Sequence, residues 1–262
     1  MTPPPASRPL SSYVFIPARL SSTRLPQKLL LSDTGKPLLQ HTYESALRAG
    51  AGRPLGVCVA AEDDQIARVV LKFGGQVAVT GPGYASGTDR VAAVAGQSRF
   101  AGIDVVVNLQ GDEPELPAAA IDQVVQLLEE QSHAVMATLA TPIRSAAQLE
   151  DPACVKVVCN QHREAIYFSR AAIPYVGQET ADWLTREPPV FYQHIGLYAY
   201  RRDFLLQLTR MPPARLEQLE SLEQLRVLEA GYRIAVAVIP HAGCGIDTER
   251  DYRQFVRRQL SA

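Results

Sequence analysis

Short apolar runs alternate with amphipathic stretches along the first half of the chain. YVFIP, 13–17, reads as a strand. Pro37 and Leu38 then open a helical pattern (Leu38, Leu39, Tyr43, Ala46, Leu47) that stops at Gly50, with Pro near the first turn and Gly just past the last. LGVCVA predicts a second strand. EDDQIARVVLKFGG predicts a helix whose leading acids suit the positive N-terminus and whose glycines end it. QVAVT is a third strand, Thr88 to Gln97 a helix, and IDVVVNLQ a continuous apolar run of the kind that fills a buried parallel strand. Such alternation predicts an α/β fold with a mostly parallel, doubly wound sheet whose ligands bind at the carboxyl ends of the strands. Three loops fall at such ends: PARLSSTRLPQK, GYASGTDR and QGDEP.

From about residue 134 the rhythm changes. VMATLA, CVKVVCN, EAIYFSR and HIGLYAYR are strand-like with few helices between them, which predicts an inserted antiparallel lid or dimerisation region over about 134–200. RLEQLESLEQLRVLEAGY then places leucines at 216, 219, 222, 225 and 228, one apolar stripe of a single helix that stops at Gly231. The strand RIAVAVIP, the loop HAGCGID and the helix TERDYRQFVRR follow. Residues 1–12, MTPPPASRPLSS, are expected to form a disordered tail, and 13–262 a single domain with that insertion.

Composition narrows the class. The chain has 262 residues, nearly half of them apolar, which is enough for a substantial core. A formal net charge of -1 argues against a nucleic-acid partner, so any basic function must come from a local cluster. Four cysteines, 58, 154, 159 and 244, show no CxxC spacing and read as free thiols in a reducing compartment. No apolar run approaches the roughly 20 residues of a membrane span, and the first twelve residues lack the apolar centre of a signal peptide. A cytoplasmic location is the expectation. GxGxxG after a strand, GxxxxGK[ST] and GxSxG are all missing, which weighs against dinucleotide oxidoreductases, P-loop proteins and α/β-hydrolases.

The candidate chemistry sits in the strand-end loops. Arg19, Arg24 and Lys28 follow the first strand, stiffened by Pro17 and Pro26 and flanked by Ser21, Ser22 and Thr23. Each alone reads as a solvated cation; three together suit a phosphate cradle, and a triphosphate has charge for all of them. Asp112 stands two residues beyond VVVNL, where a buried carboxylate needs a cation. It could instead cap the helix after Pro117. Asp247, in GIDTERD, could cap the last helix, or join Asp112 in holding a Mg²⁺ that also takes phosphate oxygens. Ser86 or Thr88 would cap a helix or offer N–H groups to an anion. His194 interrupts an apolar strand, as either a core histidine or a ligand. Glu223 and Gln224 leave the leucine stripe, where a solvated pairing with Arg226 is the plain alternative.

Taken together, PAR, STRLP with Lys28, SGTDR, VNLQGDEP, MATLA, VKVV, YFSRAAIP, HIGLYAYR, LEQLRVL and GIDT stand in the order and at about the spacing of the 3-deoxy-manno-octulosonate cytidylyltransferases, the CMP-Kdo synthetases of lipopolysaccharide assembly. The chain resembles that family from about Tyr13 to Arg257. The resemblance implies a nucleotide-diphospho-sugar-transferase-like α/β sandwich, a homodimer, and Mg²⁺-dependent transfer of CMP from CTP to an acidic eight-carbon sugar with release of pyrophosphate. It implies nucleotide contacts at Arg19, Arg24, Lys28, Ser86, Gly87, Thr88, Arg90 and Gln110, with Gln110 between nucleotide and sugar. Sugar contacts are implied at Arg170, His194, Tyr198, Glu223 and Gln224, and Mg²⁺ ligands at Asp112 and Asp247. Arg19, Lys28, Asp112 and Asp247 would carry the chemistry. The chain departs from the family's usual residues at Tyr84, commonly His, at Gln27, commonly Gly, and in GCG, commonly GTG. Rival readings are CMP activation of sialic acid or an amino-substituted octulosonate, and a silent protein that only binds nucleotide-sugars.

Overall fold

The computed structural model of the protein describes residues 9–22, 24–50, 54–177, 180–241, 243 and 245–261. Thr23, Cys244 and residues 1–8 of the expected tail lie outside the described residues.

The predicted strands form. They are β1 (Ser12–Ala18), β2 (Pro54–Ala61), β3 (Gln76–Val79), β4 (Val105–Asn108), β5 (Met136–Pro142), β6 (Lys156–Cys159), β7 (Ala165–Ser169), β8 (Tyr192–Arg201) and β9 (Ile234–Val238). The sheet runs β3-β2-β1-β4-β8-β5-β9, and β6 and β7 form a hairpin that leans on β8. β1 pairs in parallel with β2 and with β4, β2 with β3, and β5 with β9. β8 is antiparallel to both of its neighbours. Within the stretch expected to be inserted, β5 and β8 lie in the main path of the sheet, and β6 and β7 join the same sheet through the pairing of β6 with β8. The apolar alternation from 134 looked like one antiparallel unit because period two marks a strand without saying which sheet receives it.

Helices cover both faces, which is why β1 is apolar at nearly every position. Val14 and Ile16 face one core with α1 (Leu38–Leu47), α2 (Asp64–Lys72) and α4 (Ala118–Glu130). Tyr13 and Phe15 face the other with α3 (Gly87–Ala95), α7 (Arg202–Leu208) and α9 (Gln224–Glu229). Each such aliphatic or aromatic side chain stabilises the fold by roughly 1.5–3 kcal/mol when removed from water. The remaining helices are α5 (Ala146–Glu150), α6 (Thr180–Leu184), α8 (Arg215–Glu220) and α10 (Glu249–Leu260).

The leucine stripe is not one helix. Ser221 adopts φ 53°, a left-handed conformation that ends α8 before α9 begins. Leu222 and Leu225 are buried, but Leu219 is 71% exposed. Two short helices with a bend satisfy the same spacing that an unbroken helix would.

A small third cluster anchors the cationic loop to the last helix. Leu25 from that loop packs with Leu38, Ile246, and Tyr252 and Phe255 of α10. Cys58 and Cys154 are buried free thiols, and Cys159 is a half-buried one. Among the described residues no helix is long and apolar enough to cross a membrane.

Candidate active site

The loop after β1, the QGDEP loop after β4 and the GIDT loop after β9 meet at one end of the sheet. They line a cavity of about 330 Å³ bounded by Arg19, Ser22, Arg24, Lys28, Gln110, Asp112 and Asp247 among others. Its floor is built by close backbone contacts. Ile246 N–H donates to Asp112 O at 2.9 Å, so the two acidic loops are clipped together beside their carboxylates. Thr42 Oγ1 donates to Gly111 O at 2.8 Å and Ser45 Oγ to Leu116 O at 3.1 Å, which ties QGDEP to α1. The glycines of the last loop have a packing reason: a Cβ on Gly243 would stand 2.6 Å from the Glu115 carbonyl, and one on Gly245 would stand 2.7 Å from Glu113 Oε1.

Lys28 stands at the centre. Its ammonium donates to Asp112 Oδ2, to Asp247 Oδ1 at 2.9 Å and to Ile246 O at 3.1 Å. Arg24 reaches the other oxygen of Asp247 at 3.0 Å. Burial pulls Lys28 down, but Asp112 and Asp247 outweigh it and hold the ammonium above its ordinary range. Gln27, just before it, takes φ 52° and ψ 28°. Glycine, which the resemblance leads one to expect at this position, adopts such a left-handed turn most readily; here Gln27 makes it, just before Lys28.

Glu113 escaped the sequence reading, although it is the second acid of QGDEP. Burial, then the charges of Asp112 and Asp247, push its carboxyl up to about 8.

A second cavity, about 290 Å³, adjoins the first and shares Gln110 with it. Gly87, Thr88, Gly196, Tyr198, Tyr200, Ser221, Leu222, Glu223 and Gln224 complete its wall. The bend at Ser221 delivers the last three of these. Gln224 is buried, its Oε1 accepts from Tyr198 at 3.5 Å, and its Nε2 has no partner among the described residues. An unpaired buried donor is costly unless something else supplies the acceptor. Burial raises the Glu223 carboxyl, despite Arg226 and a hydrogen bond with Thr88. Tyr200, absent from the sequence candidates, is raised by burial and also meets Thr88. Gly196 reaches the wall because β8 skips register against β5 between Thr138 and Leu139.

Other candidates stand behind the walls. Ser86 caps α3, its hydroxyl accepting from Asp89 N and the Asp89 carboxylate returning the bond. Gly87 lies against Pro17, leaving no room for a side chain without a shift. Arg90 is buried, donating to Thr80 Oγ1 at 2.6 Å and Gly81 O at 2.9 Å and pairing with Glu62 at 3.2 Å. Tyr84 lies over its guanidinium, 5.5 Å from ring centroid to Cζ. Arg90 therefore holds the strand-end loop and lines neither cavity. Arg170 likewise donates to the carbonyls of Glu220 at 2.8 Å and Pro152 at 3.0 Å, while the Glu220 carboxylate accepts from Arg170 N and Ser169 Oγ. Lys156, fully buried, donates to the carbonyls of Asp151, Cys154 and Arg170. His194 packs against Phe168 and Tyr198, hydrogen-bonds Thr138 Oγ1 at 3.0 Å, and is lowered by burial to about 3.

A divalent cation fits the first cavity. One ammonium already reaches both carboxylates, so a single ion can bridge them. Oxygen donors suit Mg²⁺, which uses one or two carboxylates together with substrate oxygens. Among the described residues no cluster of three or more His, Cys, Asp or Glu side chains could hold a metal ion.

Residues 13–234 match the cytidylyltransferase family. The chain is 48% identical over 250 residues to the 3-deoxy-manno-octulosonate cytidylyltransferase of Rhodopirellula baltica, covering 95% of this chain and 98% of the relative. It is 49% identical over 256 residues to the protein of that name from Xanthomonas campestris pv. campestris strain 8004, covering 95% and 100%. A solved structure of CMP:2-keto-3-deoxy-manno-octonic acid synthetase complexed with CTP superposes with a TM-score of 0.86 at 37% identity, covering 96% of this chain and 99% of that one.

Proposed function

The chain belongs to the 3-deoxy-manno-octulosonate cytidylyltransferase family, and on that premise we propose that it transfers CMP from CTP to the anomeric hydroxyl of 3-deoxy-D-manno-octulosonate. Pyrophosphate leaves, and the product is CMP-Kdo for lipopolysaccharide biosynthesis. The observation that carries the reading is the pair of adjoining cavities with Gln110 common to both. One is lined with cations and acids, as a nucleoside triphosphate requires; the other with hydroxyls, amides and a carboxyl, as a polyhydroxylated sugar requires.

The sugar hydroxyl attacks the α-phosphorus in line, with no protein nucleophile, so catalysis consists of positioning and charge stabilisation. Arg19, Arg24 and Lys28 face the triphosphate from the first loop. Gly87 and Thr88 bring the start of α3 to the meeting point of the cavities. Asp112 and Asp247 would hold Mg²⁺, which supplies positive charge for the phosphate oxygens and can lower the pKa of the attacking hydroxyl. Tyr198, Glu223 and Gln224 offer the sugar one phenol, one carboxyl held toward its neutral form and one unpaired amide donor. Arg90, Arg170 and His194 act from behind as supports of these walls.

We also propose that the enzyme works in the cytoplasm, where CTP is available and free thiols persist, and as a homodimer. Val158, Val190 and Val238 line a cavity beside the β6–β7 hairpin, and Ile166 is 58% exposed on that hairpin, a surface suited to a second copy.

The test mixes the protein with CTP, Mg²⁺ and a panel of acidic sugars and measures pyrophosphate. Release with 3-deoxy-manno-octulosonate far above the others is expected. Preference for sialic acid would move the assignment to that sugar, and CTP binding without release with any sugar would make the protein a silent binder.

A further inference from the structure

Lys28 holds a position that two partners of different kinds compete for. Its side chain is 14% exposed and lies between Asp112 and Asp247, whose side chains are 26% and 49% exposed. Arg24 takes the remaining oxygen of Asp247. Two cations and two carboxylates thus form a closed, neutral cluster. A divalent ion entering by itself would meet carboxylates already satisfied, with an ammonium and a guanidinium beside it. A triphosphate entering by itself would draw Lys28 and Arg24 away and leave two carboxylates facing its own negative charge. Either step alone separates paired charges in a partly buried site, which costs more than it would in water. Together they exchange partners: the lysine and arginine pass to the phosphates and the metal passes to the carboxylates.

We propose that Lys28 is a placeholder for the metal on Asp112 and Asp247, so that nucleotide and metal bind synergistically and neither binds well without the other. This rests on the assignment of Asp112 and Asp247 as metal ligands. By linkage, whatever factor the nucleotide adds to metal affinity the metal adds to nucleotide affinity. Gln27 and Leu25 take part indirectly. The left-handed turn at Gln27 aims the lysine, and Leu25, buried against Ile246, fixes the loop that carries it. The arrangement also gives the two acids a partner before substrate arrives, so they need not be left as an unpaired like-charge pair.

The test measures Mn²⁺ binding without nucleotide, by the electron paramagnetic resonance of the free ion, for the wild type, Lys28→Met, Arg24→Gln and Arg19→Gln. Arg19 lines the same cavity, and among the described residues no ion pair joins it to either acid, so its variant reports the effect of removing a charge without freeing a carboxylate. Lys28→Met is expected to bind one Mn²⁺ about tenfold tighter or more than the wild type, Arg24→Gln to gain less, and Arg19→Gln to stay at the wild-type value. Adding Asp112→Asn to Lys28→Met is expected to remove the gained site. Equal affinity for the wild type and Lys28→Met, or equal gains for Lys28→Met and Arg19→Gln, would overturn the placeholder and leave the metal site standing. Failure of the wild type to bind Mn²⁺ even with CTP present would overturn both. Should Lys28→Met not fold, Arg24→Gln against Arg19→Gln decides, and equal affinities there count against the proposal.

Discussion

Ile246 donates its backbone N–H to the carbonyl of Asp112 at 2.9 Å, joining loops separated by more than half the chain. That bond brings the neighbouring Asp247 carboxylate to the same ammonium as Asp112. The approach depends on Gly243, whose absent Cβ makes room for the Glu115 backbone. Gly243→Ala is therefore expected to destabilise the protein by about 1–3 kcal/mol, because a backbone atom cannot move aside as a flexible side chain can. Thermal unfolding measures the loss, and activity should fall with it as the two acids separate.

Asp112→Asn keeps the shape of the side chain and removes its charge. Pyrophosphate release is expected to drop by about 100-fold or more, with the far-ultraviolet circular dichroism unchanged. An active Asp112→Asn enzyme would rule out Asp112 as a metal ligand.

Gln27 sits at φ 52°, where a side chain costs about 1 kcal/mol or more that glycine avoids. Gln27→Gly loses part of that gain through a more flexible unfolded chain. A small net rise in melting temperature is expected, with CTP affinity preserved. A clear fall would mean that the glutamine side chain supports the loop in its own right.

Arg170 bolts the end of β7 to the bend at Glu220 and Ser221, and the residues after that bend line the second cavity. Arg170→Ala is expected to raise KM for the sugar about tenfold or more, since small misplacements of binding groups are costly. KM for CTP is expected to stay close to wild type. Steady-state kinetics with each substrate varied in turn separates this from a direct role at the triphosphate.

His194 is buried and lowered to about 3, whereas an unfolded histidine titrates near 6.5. Its folded pKa is depressed, so its contribution to stability is present above about 6.5 and is lost as pH falls toward 3. Below 6.5 the unfolded chain binds a proton that the folded one refuses. The loss by pH 5.5 is on the order of 1 kcal/mol. Denaturant midpoints across that range are expected to fall less steeply in His194→Gln than in the wild type.

The α/β class, nearly every strand, and the three loops that meet at the site follow from local rules: apolar period, helix stop residues, and cations or acids just past a strand. The resemblance then named the residues, and most of them do face the two cavities. What the pattern misjudged has a physical cause. Leucines spaced by three and four fit one helix or two, and only packing decided that Ser221 turns left-handed and presents Glu223 and Gln224 to the second cavity. Arg90, Arg170 and His194 have the charge or ring of a ligand, yet their hydrogen bonds go to the protein itself. Glu113 drew no attention, because burial beside two other carboxylates is invisible along a chain. Sequence alone determined which groups are available at each strand end, since that depends on short-range periodicity. Tertiary structure decided which of them meet, because hydrogen bonds such as Ile246 to Asp112 join residues far apart in the chain.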